Sequence, residues 1–239
     1  MISLIDLTYL PDTFDNTKDE AEVMKLCAAA SSKFGTVAAL CVHPQYIKFA
    51  KKELAKRSIA IPVATVVNFP TGNESLEEVS KSIRFSLEAG ADEIDLVMPY
   101  KKLQEGRIDE VRNFLQACKD LLPEFVLLKV IIESGVLTLD EVRTATEIVC
   151  TIEANFVKTS TGKLKNKGAS TEAVTAILEV LDERRQSNKQ VCGVKISGGV
   201  SIKNVDEFFN RVKDIMGGSF MDPITFRFGA SALLEELIS

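Results

Sequence analysis

With 239 residues, 46% of them hydrophobic and 26% charged, the chain has the size of one α/β barrel and lies outside the composition of a disordered segment. The 29 Lys and Arg against 34 Asp and Glu leave a formal net charge of −5 with the two signs interspersed, which argues against a general nucleic-acid binder. Five cysteines scattered singly and one histidine, His43, fit a reducing compartment and make a zinc site or a Ser-His-Asp triad poor readings.

The chain opens MISLIDLTYLPDTFDNTKDE, with an acidic residue at its sixth position and no basic stretch before an apolar one, so no signal peptide is expected. Short β-branched or apolar runs then recur at residues 2–5, 36–42, 61–67, 93–98, 125–132, 155–158, 191–196 and 224–228. Between them lie segments with helical spacing: Val23, Cys27, Ala30 and Phe34; Leu76, Val79, Ile83 and Leu87; Ile108, Val111, Leu115 and Cys118; Val174, Ile177, Leu178 and Leu181. Capping boxes Thr17/Glu20, Ser75/Glu78 and Thr138/Glu141 mark helix starts, because hydroxyl and carboxylate satisfy free amides of the first turn. The most apolar run, 125–132, is broken by Lys129 and is far shorter than the ~20 residues a membrane-spanning helix needs. No membrane partner and a cytoplasmic location are expected.

Eight strands alternating with helices, at about 30 residues per unit, predict a single-domain (β/α)8 TIM barrel over residues 1–239. An open doubly wound sheet usually has fewer strands, and no GxGxxG turn follows the first strand here. A short internal echo supports repetition: Ala91-Asp-Glu-Ile-Asp95 and Ala154-Asn-Phe-Val-Lys158 put Asp95 and Lys158 at equivalent strand positions. In such barrels the chemistry sits at the C-terminal strand ends, so a charge late in a strand is a candidate actor.

Three lysines stand inside apolar strands, Lys129, Lys158 and Lys195, where burial strips an ammonium of water unless carboxylates compensate. The carboxylates available are Asp6 late in the first strand, Glu93 and Asp95 on one face of the fourth, and Glu133 ending the fifth. A single buried lysine is as readily a structural ion pair; three on neighbouring strands point further. A free lysine is only about 0.04% neutral at pH 7, and lowering its pKa toward ~7 would enlarge the nucleophilic fraction roughly a thousandfold. The residues therefore point to Lys158 as a Schiff-base nucleophile, Lys195 as the cation that tunes it, and Asp95 as the group that moves protons. Small residues follow the last three strands, in Thr159-Ser-Thr-Gly162-Lys163, Ser197-Gly-Gly199 and Gly229-Ala-Ser231. Loops of this kind let backbone amides approach a phosphate, with Lys163 adding a point charge.

The ordered blocks Asp6-Leu-Thr8, Asn68-Phe-Pro-Thr-Gly-Asn73, Asp92-Glu-Ile-Asp95, Leu128-Lys-Val-Ile-Ile-Glu133, Phe156-Val-Lys-Thr-Ser-Thr-Gly-Lys163, Gly193-Val-Lys-Ile-Ser-Gly-Gly199 and Arg227-Phe-Gly-Ala-Ser231 resemble the deoxyribose-phosphate aldolase family over nearly the whole chain. The resemblance implies a class I aldolase without cofactor that reversibly cleaves 2-deoxy-D-ribose 5-phosphate into acetaldehyde and D-glyceraldehyde 3-phosphate, in deoxyribonucleotide catabolism. It implies that Lys158 forms the imine, Lys195 perturbs it and Asp95 relays protons with an ordered water. Gly162, Lys163, Gly198, Gly199 and Ser231 would hold phosphate, Asp6, Thr8 and Thr161 would lie near the sugar hydroxyls, and a homodimer would be usual. The chain departs from the family where Lys195-Ile-Ser-Gly-Gly stands for the common Lys-Pro-Ala-Gly-Gly, at Ala232, which replaces a serine, and at its last residues, Leu237-Ile-Ser239, where some relatives carry a terminal tyrosine. The alternatives are a Schiff-base aldolase acting on another phosphorylated sugar, an idle barrel that only binds a ligand, and a sugar-phosphate isomerase. His43 before Pro44 reads as structural, and Cys41 as a small core residue.

Overall fold

A computed structural model describes residues 1–230 and 232–238. Eight parallel strands close into a barrel: β1 (Ile5–Tyr9), β2 (Ala39–Val42), β3 (Val63–Val67), β4 (Glu93–Val97), β5 (Leu127–Ile131), β6 (Phe156–Lys158), β7 (Gly193–Ser197) and β8 (Phe226–Ala230). Each pairs with its neighbour in chain order, and β1 closes on β8 through Ile5–Phe228, Asp6–Gly229 and Leu7–Ala230. The predicted (β/α)8 TIM barrel is therefore the fold. Helices α1 (Asn16–Ala29), α2 (Ile47–Lys56), α3 (Leu76–Glu88), α4 (Tyr100–Gln104), α5 (Ile108–Lys119), α6 (Leu139–Thr151), α7 (Thr171–Gln186), α8 (Val205–Met216) and α9 (Leu233–Ile238) complete it.

The two faces of the strands differ in kind. Leu40 and Val42, Ile94 and Leu96, Leu128 and Val130, and Val194 and Ile196 are all buried in one continuous apolar layer with the helices. Each such side chain removed from water contributes about 1.5–3 kcal/mol, so the stability of the barrel resides in this outer layer. On the lumen side only Cys41, Ala64 and Val66 form a small apolar cluster. Charged residues fill much of the rest of the strand interior, with Phe156 packed under the Arg227 guanidinium.

Several boundaries shift from the sequence reading. Residues 2–4 form a 3-10 turn and β1 begins at Ile5, so Asp6 stands early in its strand rather than late. Residues 31–32 and 35–36 pair as a small antiparallel ribbon, and Phe34 sits exposed at its turn instead of continuing the α1 stripe. Strand β5 ends at Ile131, which leaves Glu133 beyond it. The capping boxes at Ser75/Glu78 and Thr138/Glu141 form as the spacing predicts. The one at Thr17 does not: Asp15 takes the N-cap and accepts from the Lys18 N–H, starting α1 at Asn16.

Candidate active site

Period-two alternation sends one charged side chain after another into the lumen, from β1 (Asp6), β4 (Glu93, Asp95), β5 (Lys129), β6 (Lys158), β7 (Lys195) and β8 (Arg227). They meet as one network. Asp95 Oδ2 accepts from Lys158 Nζ at 2.7 Å and from Lys195 Nζ at 2.8 Å, while its Oδ1 accepts from Lys129 Nζ at 2.8 Å. Lys195 also reaches Asp6 Oδ2 at 2.6 Å, and Lys129 reaches Glu93 Oε2 at 2.5 Å. Below them Arg227 Nη1 donates to Asp6 Oδ1 at 3.0 Å and to Glu93 Oε2 at 2.9 Å.

Burial and pairing act against each other on every member, and the outcome differs among the lysines. Lys158 is pushed below the ordinary lysine value, by desolvation first; Asp95 opposes this, and repulsion from Lys195 adds to it. Lys195 is raised, because Asp6 and Asp95 outweigh its burial. Lys129 is likewise raised by Asp95, Glu93 and Asp6 against its desolvation. For Asp95 desolvation works upward, but Lys129, Lys158 and Lys195 together hold the carboxyl well below the usual range. Three lysines of similar chain environment thus separate electrostatically, and the weakened one is Lys158.

That lysine is also where the lumen opens. A cavity of about 260 Å³ lies at the C-terminal strand ends, with Lys158 among its lining residues. Thr8, Thr161, Gly162, Lys163, Gly198 and Gly199 line it as well. Lys129 and Lys195, fully buried, do not reach it. Gly162, Gly198 and Gly199 all adopt left-handed backbone, at φ 76°, 89° and 82°, which glycine takes without strain. A Cβ on Gly162 would sit 3.8 Å from Gly198 Cα, so the loops after β6 and β7 meet here, where an anion can approach backbone amides.

Most of the residues singled out from the sequence converge: Lys158, Lys195 and Asp95 in the network, Thr8, Thr161, Gly162, Lys163, Gly198 and Gly199 around the cavity. Asp6 does not face the cavity. It is fully buried as a partner of Lys195, Arg227 and Lys129, which places it beneath the site rather than beside a sugar. Lys163 Nζ is engaged by the Leu10 carbonyl and by Asp12 Oδ1, the latter at 2.6 Å. Ser231 lies outside the described residues. Arg227 carried no sequence expectation as an actor, although it stands between Phe226 and Phe228, where alternation already puts it on the opposite face from two aromatic rings. Among the described residues no group of three or more His, Cys, Asp or Glu is arranged to hold a metal ion.

The DeoC/LacD family aldolase model matches residues 1–236. The chain belongs to the DeoC/LacD family of aldolases. Solved structures similar to this aldolase include a candidate deoxyribose-phosphate aldolase from Coccidioides immitis, with 28% identity, a TM-score of 0.79, and 100% of this chain and 85% of that one covered. Another is a candidate deoxyribose-phosphate aldolase from Toxoplasma gondii, with 25% identity and a TM-score of 0.86 over 99% of this chain and 91% of that one. A tetrameric deoxyribose phosphate aldolase from Aeropyrum pernix shares the fold at 24% identity, with a TM-score of 0.73 and coverage of 100% and 91%. Among the described residues of this DeoC/LacD aldolase no helix is long and apolar enough to cross a membrane.

Proposed function

We propose that this aldolase works through a Schiff base on Lys158 and reversibly cleaves 2-deoxy-D-ribose 5-phosphate to acetaldehyde and D-glyceraldehyde 3-phosphate. The observation that carries the reading is the difference among the lumen lysines: only Lys158 both lines the cavity and has its ammonium destabilised. A nucleophilic amine must be reachable and must shed its proton readily; Lys158 lines the cavity, and burial with repulsion from Lys195 moves its pKa in that direction.

The unprotonated Lys158 amine adds to the aldehyde carbon C1 of the open-chain sugar, and loss of water leaves an iminium. That cation withdraws electrons from C2, so when the C3 hydroxyl passes its proton through a water to Asp95 the C2–C3 bond breaks toward nitrogen, and the same proton is later returned to C2. D-glyceraldehyde 3-phosphate leaves, and an enamine remains on Lys158. Protonation at C2 and hydrolysis release acetaldehyde and restore the amine. Asp95 holds Lys158 and Lys195 on one oxygen, at 2.7 and 2.8 Å, which gives protons a short path between the two amines. Lys129, Lys158 and Lys195 hold Asp95 ionised against its burial, so it carries the C3 hydroxyl proton only in transit. The left-handed glycines at 162, 198 and 199 expose backbone amides to the 5-phosphate, and Lys163 supplies charge if it exchanges Asp12 for that anion.

The test is reduction of the enzyme with borohydride in the presence of acetaldehyde, followed by intact mass and peptide mapping. One added ethyl group on Lys158 is expected, together with loss of 2-deoxy-D-ribose 5-phosphate cleavage. Modification elsewhere with Lys158 untouched would overturn the assignment.

A further inference from the structure

The charges of the lumen do not balance. Lys129, Lys158, Lys195 and Arg227 face only Asp6, Glu93 and Asp95, and every one of these side chains is buried. With all of them ionised the network would carry one positive charge too many in a medium that solvates it poorly. The cation that sheds its proton at least cost is the one with fewest carboxylate partners. Lys129 has Glu93, Asp95 and Asp6 within 3.5 Å; Lys195 has Asp6 and Asp95 within 2.8 Å; Arg227 has Asp6 and Glu93 within 3.0 Å and does not deprotonate in proteins. Lys158 has Asp95 alone, shared with the other two lysines.

We propose that Arg227 is a positioning residue for the nucleophile: it shares Asp6 with Lys195 and Glu93 with Lys129 from beneath, so that both lysines also draw on Asp95, and the Lys158 amine is left short of counter-charge. Its side chain is itself fixed, with Nε donating to the Pro223 carbonyl at 2.6 Å and the guanidinium lying over the Phe156 ring at 5.2 Å. Those contacts hold the charge at a set depth on the axis. The other groups that bear on Lys158 are Cys41 from β2, whose thiol burial keeps neutral, Glu133 beyond β5, and Lys163 across the cavity, paired to Asp12. None of them is ion-paired with Lys158, whose one such partner among the described residues is Asp95. The inference rests on the Schiff-base reading and extends it to a residue that touches no substrate.

The experiment measures the rate of reductive trapping of acetaldehyde by cyanoborohydride as a function of pH, with peptide mapping, for the wild type and the variants Arg227→Met, Arg227→Lys and Glu93→Gln. Removing the cation leaves Asp6 and Glu93 wholly to the lysines they already contact, so Arg227→Met should move the alkaline rise of trapping upward by about one pH unit, a tenfold loss of free amine at pH 7. Arg227→Lys restores the charge and should return the profile toward wild type. Glu93→Gln removes an anion and should move the rise downward, the opposite direction. A purely structural role would lower the amount of folded enzyme without moving the profile. An unmoved profile in folded Arg227→Met overturns the proposal; if that variant does not fold, Glu93→Gln decides it alone. Failure to trap Lys158 in the wild type at any pH would instead overturn the Schiff-base reading, so the two failures are distinct.

Discussion

Glu133 stands two residues past the end of β5 in left-handed backbone, φ 55°, with its carboxyl fully buried and accepting from the Thr161 N–H at 3.3 Å on both oxygens. It joins none of the lysine ion pairs. Burial therefore governs it and raises its pKa, with the Thr161 bond and Lys158 pulling weakly the other way. Asp95, equally buried, is driven in the opposite direction because three ammonium groups surround it. The sequence groups Glu133 with the lumen acids as the residue ending the fifth strand; the strand stops at Ile131, and Glu133 stands in a left-handed turn beyond it. The raised pKa has a stability consequence. Above the ordinary carboxyl pKa of about 4.3 the unfolded chain releases its proton while the native state still holds it, so unfolding free energy falls as pH rises through the interval up to the native value. Glu133→Gln has no proton to lose. The melting temperature of Glu133→Gln should gain on that of the wild type as pH rises from 4 toward 8, and a difference independent of pH would refute the assignment.

At the scale of elements, the site is set by how the strand ends β6 and β7 and their loops interlock. Thr159 Oγ1 donates to the Ser197 carbonyl at 2.8 Å and accepts from the Ser197 N–H at 2.8 Å, while Ser197 Oγ donates to the Ser160 carbonyl at 2.6 Å. The Ser197 hydroxyl thus does structural work, tying the end of β7 to the residues that follow β6. Farther along, the Ala169 N–H bonds the Gly198 carbonyl at 3.0 Å, and a Cβ on Gly168 would lie 2.1 Å from that same oxygen. No side chain fits between the two backbones. Gly168→Ala must therefore displace the Gly198 segment, which lines the cavity, while Lys158 and its ion pairs sit deeper and on other residues. For Gly168→Ala the KM for the 5-phosphate substrate should rise about tenfold, roughly 1.4 kcal/mol of binding. Trapping of acetaldehyde on Lys158 should be nearly unchanged, and equal losses in both assays would mean that these loops do not hold phosphate. Such contacts were not legible in the sequence, where Gly168 reads as one more loop glycine. The capping boxes of α3 and α6 were legible because all their atoms lie within one turn of chain; the failure at Thr17 was a competition that Asp15 won within the same stretch.

Over the whole molecule the eightfold alternation of strand and helix could be read in advance, since apolar periodicity is a local property repeated along the chain. The pairing of lumen charges could not, because the partners are remote: Lys158 and Asp95 are separated by 63 positions, Asp6 and Arg227 by 221. The barrel closure alone brings β1 beside β8 and turns isolated charges into a network. The outer apolar layer is indifferent to pH, whereas the lumen is not, and Lys129 is its most connected cation. Against burial, which would raise them, the lumen cations hold Asp6 and Asp95 below the ordinary carboxylate range. A depressed carboxyl contributes stability that is complete above the unfolded value near 4 and is lost only as pH falls through the native one. Removing Lys129 takes a cation from both carboxylates at once, so their native pKa values rise and the loss begins at higher pH. Lys129→Met should therefore unfold in acid at a midpoint raised by about one pH unit and lose about 3–5 kcal/mol at pH 7, as expected when one partner of a buried ion cluster is taken away. Lys81→Met breaks an exposed pair with Glu77 and should cost no more than about 1 kcal/mol with no change in the acid midpoint. Circular dichroism followed from pH 7 to 2 on both variants reads the two outcomes directly. Coincident acid transitions would mean that the lumen charges do not hold the barrel closed.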